Sequence, residues 1–131
     1  MMNRYNPEVD PDKEEWLALD EGERIFLVEK YHRDERISMP QRARRLHATI
    51  HTVVENQLAL EDQTIVRDTL HRLMEDGLTR HEAVHAVGSV LAEHIYDLIQ
   101  ADHPPSDGNA PYYAALQQLT AEKWLTGRGD R

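Results

Sequence analysis

Apolar positions along this chain recur at helical spacing, and no stretch alternates as a half-buried strand would. The chain opens on Asn6-Pro7 and Asp10-Pro11, which read as an extended arm leading into a helix, with Asp10 placed to cap it and Pro11 to occupy its first position. The stretch from Trp16 to Ile25 reads as two short helices docking on a bundle. The second of them starts at a capping box, Asp20-Glu21-Gly22-Glu23, followed by Ile25, Phe26, Val28 and Tyr31 at helical spacing. Pro40, with Ser38 as cap, opens a long helix that runs to about Ala59. Glu61-Asp62-Gln63 begins a shorter one with Val66, Leu70, Leu73 and Met74 on one side, stopped by Gly77. Thr79-Arg80-His81-Glu82 is a second capping box, and its helix continues to about Ala101. His103-Pro104-Pro105-Ser106-Asp107-Gly108 breaks the pattern, and a last helix spans Pro111 to Leu125. The expectation is an all-α chain forming one domain over residues 1–131, a bundle of about five to six helices with 79–101 at its centre. Residues 1–10 are expected as the arm and 126–131 as a charged tail.

Composition narrows what such a bundle does. The sequence has 131 residues, 40% hydrophobic and 30% charged, so it can bury a core and is not wholesale disordered. Its formal charge of −9 repels phosphate backbones and anionic lipid, so neither nucleic acid nor membrane is the expected partner. No run approaches the roughly 20 apolar residues of a membrane span, and the first residues lack the apolar stretch of a signal peptide. There is no cysteine, which removes disulfides, thiolate nucleophiles and Cys-type zinc sites and suits a cytoplasmic location. Eight histidines are the remaining anomaly.

Histidines four apart share a helical face and can share an ion. His81-Glu82-Ala83-Val84-His85 fits the HExxH pattern, in which the Glu serves as base toward a zinc-bound water. Three features weigh against that chemistry. Glu82 sits at the third position after Thr79, where it closes a capping box; no strand precedes the helix; and a third ligand is missing, since the position six beyond His85 is Leu91. His94 lies nine residues on, which at about 100° per residue is half a turn away. It sits among Val87, Val90, Leu91 and Leu98, and is expected to be a buried, ligand-free histidine hydrogen-bonded to a carbonyl or polar side chain.

The second pair is His47-Ala48-Thr49-Ile50-His51, continued by Glu55 to give His-x3-His-x3-Glu on one strip. Ferritin-like di-iron bundles use Glu-x-x-His on two helices; Glu82-x-x-His85 is one such motif and no second exists. Haemerythrin-like chains combine His-x3-Glu with His-x3-His, as His51/Glu55 and His81/His85 do, but the residue five beyond His94 is Ile99, where their pattern needs Asp. On the 40–59 helix, His47 lies within the apolar arc and His51 at its border. On the 79–101 helix, His81 lies inside one margin and His85 at it, with Gly88 and Ala92 continuing the strip where another helix can come close. Arg42, Arg44 and Arg45 read as a solvated face toward the acidic amino-terminal segment.

Lengths suggest how the pairs meet. A short turn after Ala59 sends the next helix back along the third, and from Gln63 to Asp76 it climbs roughly 20 Å at ~1.5 Å per residue. The 79–101 helix then starts level with His47 and descends parallel to the third, bringing His81 and His85 alongside His47 and His51. A cluster of at least three of these four imidazoles, with Glu55, is expected.

The segments His47-Ala-Thr-Ile-His51-Thr-Val-Val-Glu55-Asn56-Gln57 and Gly77-Leu-Thr-Arg80-His81-Glu82-Ala-Val-His85-Ala-Val-Gly88 resemble a family of small helical bacterial proteins. So do Trp16-Leu-Ala-Leu-Asp20-Glu-Gly-Glu-Arg24 and Tyr31-His32-Arg33. The resemblance covers about residues 6–100 and implies a recurring histidine and Glu-Asn-Gln pattern, with no activity attached. Three functions compete. The first is a helical domain binding Zn2+, Fe2+, Ni2+ or Mn2+ through His47, His51, Glu55, His81 and His85. The second is a non-catalytic interaction module or homo-oligomer whose histidines lie at an interface. The third is a zinc hydrolase with Glu82 as base.

Overall fold

A computed structural model describes residues 2–35, 41–60, 62, 64–101 and 109–128. Among these residues the protein is all-α, with seven helices and no strand. They are α1 (Lys13–Ala18), α2 (Glu21–Asp34), α3 (Gln41–Ala59), α4 (Thr64–Glu75), α5 (Arg80–Gln100), α6 (Ala110–Gln118) and α7 (Ala121–Arg128). No helix among the described residues is long and apolar enough to cross a membrane. The expected cap at Ser38, the Pro40 start and the 103–108 break lie outside the described residues.

Local chemistry sets the boundaries. The Asp20 and Glu23 side chains exchange hydrogen bonds with each other's backbone N–H at the start of α2, and Thr79 and Glu82 do the same at the start of α5. Gly77 ends α4 at φ 107°, with Gly77 N–H bonded to the Met74 carbonyl and Leu78 N–H to that of Leu73. This double closure demands a left-handed residue. Two expectations change. The cap of α1 is Asp12, accepting from Glu15 N–H at 3.0 Å, because Asp10 is drawn away to an arginine described below. The last helix is two helices: the Arg72 guanidinium takes the Leu116 and Leu119 carbonyls, which ends α6, and Thr120 Oγ1 accepts from Lys123 N–H to start α7. Helix α7 then runs through Arg128, into the stretch expected as a tail beginning at 126.

Apolar residues gather in two clusters. The larger joins α3 through α7, including Val54, Leu70, Leu73, Val84, Val87, Leu116 and Trp124. The smaller sets Tyr5 and Trp16 with Leu19, Leu27 and Val28 against Ala48. Helix α3 is common to both, packing on α1 and α2 and on α4 and α5, so it shares the central position expected of α5 alone. Gly88 makes the α3–α5 contact close: a Cβ there would lie 3.2 Å from Ile50 Cγ2.

The Glu55-Asn56-Gln57 triplet fastens three different elements to α3. Asn56 accepts from Trp16 Nε1 and Arg24 Nη1 and donates to Glu21, tying down α1 and α2. Gln57 accepts from the Tyr112 hydroxyl of α6. Glu55 binds the start of α5. The capping box at Thr79 carries its own expectation: Thr79→Ala should lower the unfolding free energy by about 1 kcal/mol in urea titrations. A cost near that of an ordinary exposed threonine would show that the cap is inert.

Candidate metal centre

Three helices bring five imidazoles to one place. Val28 and His32 follow one line of α2, His47 and His51 one line of α3, and His81 and His85 one line of α5. One ring nitrogen from each of His32, His51, His81 and His85 lies within 4.8 Å of the others, an arrangement that could hold a metal ion. His47 completes the cluster, its Nε2 standing 3.0 Å from His85 Nε2 and 3.2 Å from His32 Nε2. Ring centroids are as close as 4.2 Å for His81 and His85.

The partners of the outer nitrogens decide which lone pairs face inward. His32 Nδ1 lies 2.8 Å from the Val28 carbonyl, which only accepts, so Nδ1 carries the proton and Nε2 presents its lone pair to the cluster. His51 follows from a proton count. The Tyr5 hydroxyl donates its single proton to the Glu55 carboxylate, which also accepts two bonds of 2.8 and 2.9 Å from Arg80. The remaining contact of that hydroxyl, 2.8 Å to His51 Nε2, is therefore an N–H of His51 donating to the tyrosine oxygen. His51 Nδ1 is left with its lone pair inward, buried and without a partner among the described residues, as is His81 Nε2.

Burial penalises the charged form of every ring. It pushes His47 and His81 down to about 4 and His85 to about 2, with neighbouring imidazoles adding to the effect. His51 falls well below the usual range and His32 is lowered as well, burial leading in both. At neutral pH the cluster is five uncharged rings. Burial, followed by the charge of Glu55, raises the Tyr5 hydroxyl far above its ordinary value, so it stays a donor.

Behind the histidines stands a charged frame. Arg80 and Glu55 are almost fully buried, at 3% and 1% exposure. Arg80 also donates to Asp10 Oδ1 at 2.8 Å and to the Pro7 carbonyl at 2.9 Å, and Glu8 accepts from His81 N–H. The amino-terminal arm is thus the outer wall of the site: Tyr5, Pro7, Glu8 and Asp10 all touch its frame.

The structure brings together all four histidines named from the sequence, His47, His51, His81 and His85. It places Glu55 one bond further out, oriented toward Arg80 and Tyr5, and outside the group of converging ligand atoms. Glu82 accepts from Thr79 N–H in its capping box. His94 lies elsewhere, buried and stacked on Tyr112 at 5.5 Å, away from the cluster as expected; its Nε2 has no partner among the described residues. Sequence reasoning missed His32, Tyr5 and Arg80 as parts of the site. No protein-family profile matches the chain, no curated protein matches it, and no solved structure does.

Proposed function

We propose that this chain is a transition-metal-binding protein whose ion is held by imidazoles from α2, α3 and α5. The observation that carries the reading is the convergence of four histidine nitrogens within 4.8 Å, from three helices, in a single chain. The orphaned, buried Nδ1 of His51 and Nε2 of His81 support it, because such nitrogens are costly unless something takes their lone pairs. The His51–Tyr5–Glu55–Arg80 chain resembles the outer shell of metal sites, where the far nitrogen of a ligand histidine is anchored to fix its tautomer. Buried rings also argue against interface histidines: His32 and His51 are 1% and 2% exposed. An imidazole donor set suits Zn2+, Ni2+ or Fe2+ better than Mn2+, which prefers oxygen, and the carboxylate of Glu55 is engaged by Arg80.

Elemental analysis of tag-free protein from metal-supplemented medium is the test. About one ion per chain is expected, falling to about a tenth or less in His85→Ala and in His32→Ala. His94→Ala and His71→Ala, outside the cluster, should leave the content unchanged. Folded wild-type protein without stoichiometric metal, unable to take it up on dialysis, would end the reading.

A further inference from the structure

A cavity of about 410 Å³ adjoins the histidines. His47, His51 and His85 form its polar end; Leu46, Ile50, Val84, Gly88, Ala92 and Trp124 supply most of the rest, and no lysine, arginine or carboxylate is among the described residues that line it. Its walls include the small side chains of Ala43 and Ala92, besides Gly88 where α3 comes close. The Ser89 hydroxyl on its wall spends its proton on the Ala86 carbonyl. The volume and the apolar walls with a few convergent polar groups lie in the range of small-molecule sites.

The ligand set points the same way. His32, His51, His81 and His85 offer four nitrogens within 4.8 Å of one another, and His51 and His85 also line the cavity, so an ion held by the four has one side toward it. His47 Nε2 stands beside them, 3.0 Å from His85 Nε2 and 3.2 Å from His32 Nε2. Neutral imidazoles bring no charge to a divalent ion, and the buried carboxylate behind them, Glu55, is already paired with Arg80. A net positive charge would therefore face a largely apolar chamber, with no other charged group among the described residues that line it. In such surroundings an anionic donor is strongly attracted. A dianion such as phosphate finds no donors for its further oxygens. A neutral apolar molecule leaves the charge unmatched.

Building on the metal reading, we infer that His32, His51, His81 and His85 ligate one ion, with His47 beside them, and that the ion's remaining position opens into this chamber. That position takes a monoanionic head group, of the carboxylate class, carried on an apolar body. The head meets the ion, and the body packs against Leu46, Ile50, Val84 and Trp124.

The test uses the full chain loaded with Co2+, whose visible absorption reports coordination. The bound ion should show the weak bands of five or six ligands; the intense bands of a closed tetrahedral site would overturn the open position. Octanoate should perturb the spectrum saturably and at least about tenfold more tightly than acetate, which lacks the body, or 1-octanol, which lacks the charge. Ala92→Phe and, independently, Ala43→Phe should fill the chamber and weaken octanoate about tenfold or more while one Co2+ per chain is retained. If Co2+ binds through the histidines but octanoate and acetate behave alike, or the filled variants respond as wild type, the chamber assignment fails and the metal site stands. If wild type takes up no Co2+, both fail together.

Discussion

Replacing Arg80 with methionine should lower the unfolding free energy by about 3–5 kcal/mol, more than any single histidine substitution, because it strands a buried carboxylate. Glu55 is 1% exposed and its two oxygens accept from Arg80 and Tyr5, so no water replaces the lost cation without opening the core. The same guanidinium ties down Pro7 and Asp10, so the arm should loosen and Tyr5 with it. Removing both charges removes the stranded one: Arg80→Met with Glu55→Leu should be more stable than Arg80→Met alone. Urea denaturation of wild type, both single variants and the double variant closes the cycle. A loss below about 1 kcal/mol for Arg80→Met, or a double variant as unstable as the two singles added, would show that the pair is not the frame of the site.

That frame also shows where sequence reasoning reached and where it stopped. Capping boxes at Asp20 and Thr79 and the stop at Gly77 were legible because each depends on a few adjacent residues. The pairs at 47/51 and 81/85 were legible because i,i+4 spacing is itself a geometric statement, and the α4 length gave the register that brings them level. His32 has no histidine four residues away, so its role depended on how α2 lies against α3, which local spacing does not encode. One signal was present: His32 continues the buried line of Val28. Tyr5 was hidden in an arm whose Asn6-Pro7 and Asp10-Pro11 read as an entry segment, although a tyrosine there is an apolar residue in need of cover.

Glu55 was read as a ligand because a carboxylate four residues after a histidine serves an ion or an arginine equally well. The discriminating residue was Arg80. A cation in the first turn of a helix opposes the macrodipole, and such a residue needs a compensating anion. Arg80 requires a buried carboxylate, and Glu55 at the same level of α3 supplies it. The split of the last helix at Leu119 had no comparable signal, because the guanidinium that ends α6 comes from Arg72 on α4.

Metal-stripped protein should unfold in mild acid, at a pH somewhat above the ordinary carboxylate values of about 4. The cause is the gap between the ordinary histidine value of about 6.5 and the values these rings hold in the fold. Those are about 4 for His47 and His81, about 2 for His85, and lowered for His32 and His51. Above pH ~6.5 neither the folded nor the unfolded chain protonates them, and their full contribution to stability is present. As pH falls below that value the unfolded chain takes up protons that the folded chain refuses, so the unfolded state gains. Each such proton steepens the decline by about 1.4 kcal/mol per pH unit, until the folded rings titrate in turn. Several rings acting together would exhaust a typical stability of about 5–15 kcal/mol within one to a few pH units. The expected unfolding midpoint therefore lies near pH 5. Far-UV circular dichroism and thermal melts between pH 7.5 and 4 provide the measurement. Replacing His32 and His85 together by glutamine should make the acid transition shallower and shift it downward. Apoprotein with an unchanged Tm from pH 7 to 4.5 would show that the rings admit protons freely, and that the cluster is neither as dry nor as crowded as its packing requires.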